Sequence, residues 1–173
     1  MRGRMKEDAM RVGFIGLGNM GEPLAGFVRR AGFRLVVHDL RKETAATLIE
    51  SGATWADSPR DVAAQSDVVC VCVPGPPEMQ TVMLGVGGIL EGVSAGSVVI
   101  DHTTNSPDVV RAVGGALAAR GAHLLDAPLD GGREGALAGQ VTLFVGGDEA
   151  VLRRVQPILD TFSKSVVNCV SGS

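Results

Sequence analysis

Six consecutive residues, Gly16-Leu17-Gly18-Asn19-Met20-Gly21, have the spacing of a turn that binds phosphate. The pattern is G-x-G-x-x-G, and each glycine has its own physical task. Gly16 makes the tight turn after an apolar run, and Gly18 lets backbone approach a pyrophosphate. Gly21 lets the following helix pack closely on the strand. The start of that helix supplies free N–H groups and a partial positive charge. Asp39, ending the next apolar run, can accept hydrogen bonds from the hydroxyls of an adenosine ribose, which favours NAD over NADP. Arg41 and Lys42 follow it, and either could reach a 2′-phosphate, so NADP stays open.

Such a turn works only between a strand and a helix, and the sequence provides both. Short β-branched runs at residues 11–15, 34–38, 67–73, 97–101, 122–126, 141–145 and 165–168 read as strands. Ala-rich stretches at residues 20–31, 42–51, 59–65, 107–120 and 149–161 read as helices, with another from the Pro74-Gly75-Pro76-Pro77 turn to residue 84. Ser58 before Pro59 and Asp148 before Glu149 are helix caps. This alternation predicts an α/β fold: one doubly wound, mainly parallel sheet with helices on both faces. The last short strand is expected to complete that sheet. Residues 1–10 read as a tail and residues 11–173 as one domain, with no linker or repeat.

Charge and composition narrow the function. A net charge of -3 with scattered basic residues argues against a nucleic-acid partner. The longest apolar run, residues 68–73, is too short to span a membrane, and the basic start lacks the apolar core of a secretory signal. These features read as a soluble, cytoplasmic chain. Three cysteines are an odd number, and Cys70 and Cys72 share one face of a strand, which suits buried thiols better than a disulfide framework. No histidine–cysteine spacing suggests a metal. His38 ends a strand beside Asp39 and could flank an adenine, whereas His102 and His123 read as packing residues.

Beyond the glycine loop, "VCVPGPPEMQTVMLGVGGIL", "VVIDHTTNSP", "HLLDAPLDGG" and "VTLFVGGDEAVLRRVQPIL" follow in order. With "VGFIGLGNMGEP" they resemble the β-hydroxyacid dehydrogenases, which include 3-hydroxyisobutyrate dehydrogenase and tartronate semialdehyde reductase. The resemblance runs from Arg11 through nearly all the chain. It implies a Rossmann-type cofactor domain and interconversion of a small 3-hydroxy acid with its semialdehyde or ketone by hydride transfer. It places Val73 and Pro74 on the nicotinamide-ribose side, Thr103 on the substrate and Thr104 on the cofactor. The two hydroxyls could equally satisfy a loop backbone. Gly131 and Gly132 would hold a substrate carboxylate through backbone N–H groups. Asp130 stands where the family has serine, and a carboxylate beside an anion is unfavourable. Three readings follow: Arg133 supplies the missing cation, the substrate differs, or Asp130 is a turn residue facing solvent.

Hydride transfer also needs a proton donor, and in the family this is a lysine in G-x-x-x-K-x-x-N-N. The chain has three lysines, Lys6, Lys42 and Lys164, and none matches. Lys164 falls in the turn before the last strand. The match ends at Ser171-Gly172-Ser173, where the family's lysine helix would start. The expectation is therefore a cofactor domain without its helical partner, prone to self-association and inert alone. An NADPH-linked semialdehyde or imine reductase and a non-catalytic dinucleotide-binding module are the alternatives.

Overall fold

Along the apolar strands, alternate side chains enter two different cores. The computed structural model describes residues 10–169; the expected tail up to residue 9 and Ser171-Gly172-Ser173 lie outside them. Strands β1 (Arg11–Ile15), β2 (Arg34–His38), β3 (Thr54–Trp55), β4 (Val68–Val71), β5 (Val98–Asp101) and β6 (His123–Asp126) form a parallel sheet. Their order is β3-β2-β1-β4-β5-β6. Val12, Phe14, Val68, Cys70, Val98 and Ile100 enter one core, while Ile15, Val69, Val71 and Val99 enter the other. Strand side chains alternate in direction, so runs with no polar residue need cover on both faces.

Helices α1 (Gly21–Arg30), α2 (Ala46–Glu50) and α8 (Glu149–Leu159) cover the first face. Helices α3 (Pro59–Ala64), α4 (Pro76–Leu84), α5 (Ile89–Gly92) and α6 (Pro107–Ala119) cover the second. The expected caps are present, with Ser58 and Asp148 accepting from the Asp61 and Val151 N–H groups. The sheet is the doubly wound, Rossmann-type arrangement. From β1 the chain moves outward to β2 and β3, then returns to lay β4 on the other side of β1. That reversal opens a crevice at the C-terminal ends of β1 and β4.

The expectation of a single sheet needs correction. β7 (Leu129–Asp130), β8 (Val141–Val145) and β9 (Ser163–Asn168) form a second, three-stranded sheet. An antiparallel bridge between Asp126 and Gly146 links β8's end to β6. Pro128 limits this link: its carbonyl accepts from Phe144 N–H at 3.1 Å, but with no N–H it cannot return the bond and extend the ladder between β6 and β8. Lys164 lies within β9, not in the turn before it. The short elements β3, β7, α5 and α7 (Gly132–Ala138) were not expected from periodicity, which needs more residues than they contain. The helix expected at residues 42–51 begins as a 3₁₀ turn, Lys42–Ala45.

Two ionisable side chains are buried where β5 ends, Asp101 at 1% exposure and His102, the next residue, at 4%. Desolvation pushes the Asp101 carboxyl up to about 6, against opposing hydrogen bonds from Thr103. Desolvation lowers the His102 imidazole to about 4, although its Nδ1–H donates to Ala127 O at 3.0 Å. The two groups act on stability with opposite signs. Folded Asp101 keeps a proton that the unfolded chain has released, so its contribution falls as pH rises towards about 6. Folded His102 refuses a proton that the unfolded chain binds, so its contribution falls as pH drops towards about 4. In the intact chain these slopes offset each other. Asp101→Asn is expected to melt progressively lower than wild type as pH drops from about 6 to about 4, and His102→Gln relatively higher. Parallel melting curves for both variants across that range would contradict the opposed pair.

Candidate functional site

β1 delivers the glycine loop into the crevice, and main-chain contacts fix it there. Gly16 has φ +89°, and a Cβ on it would lie 2.1 Å from Cys72 O. A Cβ on Gly21 would lie 1.9 Å from Gly16 O. Both positions are closed to any side chain by backbone. Gly18 differs, because a Cβ there would meet no protein atom within 4 Å. The space above Gly18 is open, as close approach by a ligand requires. The N-terminus of α1 also lacks the side-chain cap that Ser58, Ser106 and Asp148 give α3, α6 and α8. Glu22 N–H donates to Gly18 O at 3.1 Å and Pro23 has no N–H, so the N–H groups left for an anion are those of the loop and of Gly21.

Asp39 sits next to this loop. Its Oδ2 accepts Leu17 N–H at 2.8 Å and its Oδ1 accepts Arg41 N–H at 2.9 Å. A carboxylate has about four lone-pair sites, so each oxygen keeps one for a further donor such as a ribose hydroxyl. Leu40 between them is 96% exposed. Arg41 lines a cleft of about 280 Å³ with Leu17, Gly18 and Asn19, while the Lys42 ammonium lies 5.6 Å from the Trp55 ring. His38 is buried, with Nδ1 2.9 Å from Ala56 O and its ring against Trp55. That packing does not present it to an adenine.

The ends of β4 and β5 meet through Thr103. Its hydroxyl accepts Val73 N–H at 3.2 Å, and its own N–H donates to Asp101 Oδ1 at 2.9 Å. Asn105 Nδ2 donates to Asp101 Oδ2. Asp101 therefore holds the loop that carries Thr103 and Thr104, a role sequence reading missed. The available signal was a lone acid closing the apolar run Val98–Asp101. Thr103 is buried, whereas Pro74 and Thr104 are exposed beside it. Burial keeps both nearby cysteines as thiols, pushing Cys72 up to about 11 and Cys70 higher still.

Asp130, Gly131 and Gly132 stand at the start of α7, all exposed. Gly131 at φ +124° and Gly132 at φ +58° reverse the chain from β7 into α7. Because α7 packs against α1, this segment is tied to the helix that starts at the glycine loop. Arg133 forms no ion pair with Asp130 among the described residues. It lines the cleft with Arg41 instead. Lys164 is exposed on β9, and Lys6 lies outside the described residues. Among the described residues no cluster of three or more His, Cys, Asp or Glu could hold a metal, and no helix is long and apolar enough to cross a membrane.

Comparison with known proteins agrees with this geometry. The chain is 36% identical over 160 residues to 2-(hydroxymethyl)glutarate dehydrogenase of Eubacterium barkeri, covering 92% of this chain and 53% of that protein. It is 37% identical over 155 residues to 3-hydroxyisobutyrate dehydrogenase of Pseudomonas aeruginosa, covering 90% and 52%. The solved structure of Mycobacterium tuberculosis 3-hydroxyisobutyrate dehydrogenase with L-serine superposes with a TM-score of 0.87 at 29% identity, over 95% of this chain and 55% of that one. The chain thus spans about half the length of the relatives it matches. Residues 11–172 match the family described as the NAD binding domain of 6-phosphogluconate dehydrogenase, and with the glycine loop, Asp39 and strand order in place, the chain belongs to that family.

Proposed function

We propose that the chain is the cofactor-binding part of an NAD-dependent oxidoreductase that interconverts a small 3-hydroxy acid with its semialdehyde or ketone. The observation that carries this is the open space at Gly18, set between two glycines closed by backbone. Packing accounts for Gly16 and Gly21, and the open space at Gly18, between them in the motif, supports a ligand there. When bound, the nicotinamide dinucleotide supplies or accepts the hydride. The loop Gly16-Leu17-Gly18-Asn19-Met20-Gly21 and the uncapped start of α1 hold the pyrophosphate. Asp39 accepts from the ribose hydroxyls, with Arg41 at the adenosine side.

Val73 and Pro74 line the nicotinamide ribose, and Thr104 faces the cofactor. Thr103 stands on the substrate side, its hydroxyl accepting from Val73 N–H and facing the Asp101 carboxyl. Gly131 and Gly132 hold the substrate carboxylate by backbone N–H groups. Asp130 beside them favours a substrate that brings a hydroxyl or an amine as a donor. The relatives' names support this class: a hydroxy acid in two of them and L-serine in the solved complex. None of Lys6, Lys42 and Lys164 matches the lysine position of the resemblance, and we read the proton as exchanged by a group other than these.

The glycine assignment separates binding from folding. Gly18→Ala is expected to keep the wild-type melting temperature and to weaken NADH at least about tenfold, read by nicotinamide fluorescence. Gly21→Ala forces backbone apart and is expected to cost at least about 2 kcal/mol in urea unfolding. An NADH affinity unchanged in Gly18→Ala would remove the case for a dinucleotide. The 173-residue chain is expected to bind NADH yet show no oxidation of L-serine or 3-hydroxyisobutyrate. Turnover by this chain alone would show that its own residues supply the proton transfer.

A further inference from the structure

We infer that Arg133, on α7, decides whether this site tolerates a phosphate on the adenosine ribose, and that the chain therefore takes NADPH beside NADH. The inference rests on the dinucleotide reading and adds a residue that neither the glycine loop nor β2 contains. Arg133 and Arg41 come from elements about ninety residues apart in sequence, yet line one cleft of about 280 Å³. Helix packing puts them there, since α7 lies against α1. Glu22, Asn19 and Thr44 line the same cleft. Neither arginine is in an ion pair among the described residues. Lys42, the other nearby cation, is drawn to the Trp55 ring.

Charge makes Arg133 decisive. Asp39 and Glu22 place two carboxylates at or beside the cleft, and Arg41 offsets one of them. A 2′-phosphate arriving there would meet a net negative surface if Arg133 were absent. With Arg133 the four side chains balance, and two guanidinium groups offer planar sets of donors suited to phosphate oxygens. A plain ribose hydroxyl needs neither arginine, because Asp39 accepts from it. Because the cleft also borders Gly18 and Asn19 of the shared loop, selective weakening of NADPH is what distinguishes a role at the 2′-phosphate from one at the pyrophosphate.

The test is titration of the 173-residue chain with NADH and with NADPH, by nicotinamide fluorescence at low salt. NADPH is expected to bind within about tenfold of NADH. Arg133→Ala is expected to weaken NADPH about ten- to hundredfold, the usual worth of charge-assisted hydrogen bonds, and NADH less than about twofold. Glu22→Gln, the opposite change of charge in the same cleft, is expected to tighten NADPH selectively. Arg133 is exposed, so circular dichroism and melting should match wild type. Equal weakening of both cofactors, or none of either, would overturn the assignment of Arg133. Failure of the unchanged chain to bind NADH would instead remove the dinucleotide reading beneath it.

Discussion

Three main-chain segments meet at the glycine loop with no room for one methyl group between them. A Cβ on Gly16 would strike Cys72 O at 2.1 Å, and one on Gly21 would strike Gly16 O at 1.9 Å. The ends of β1 and β4 and the start of α1 are therefore spaced by backbone alone. Side chains can adjust their rotamers to relieve crowding, but a backbone carbonyl in a parallel ladder cannot. The direction of α1 follows from this contact. Asp39 joins the same assembly through Leu17 N–H, which ties the end of β2 to the loop. The cleft beyond it is bordered by α7, which packs against both α1 and β8.

A second set of bonds positions the hydroxyls. Asp101 is buried and holds Thr103 N–H and Asn105 Nδ2, while Thr103 in turn holds Val73 N–H. The ends of β4 and β5 are thereby locked together on the side of the crevice assigned to substrate. The arrangement is costly. Asn105 Oδ1 and His102 Nε2 are buried without a hydrogen-bond partner among the described residues, each at about 1–3 kcal/mol. Burying a carboxyl and an imidazole on adjacent residues adds to that cost. A loop stabilised only by apolar packing would avoid these penalties, but could not fix the orientation of a hydroxyl.

Much of the architecture was legible because it depends on local periodicity. Continuous apolar runs such as Val68–Val71 signal strands covered on both faces, and Ser58-Pro59 signals a helix start. The break between the two sheets was not legible. It turns on Pro128 and on which carbonyl Phe144 N–H finds, and strand runs do not state their partners. The site divides in the same way. Asp39 and the loop form a motif with fixed spacing, so both could be named in advance. Arg133 was read beside Asp130 because the two are close in sequence, whereas helix packing turns it to Arg41.

By itself the sequence determined the element types, the glycine loop with its acidic partner, and the hydroxyls and glycines of the later motifs. Those features rest on backbone freedom and side-chain chemistry that each residue carries wherever it lies. Only the tertiary structure decided that Gly18 faces open space while Gly16 and Gly21 face backbone, and that Asp101 braces Thr103. It alone brought Arg133 to the cleft beside Arg41. Each of these depends on which elements pack together, a property of several distant segments at once and of no single stretch of chain.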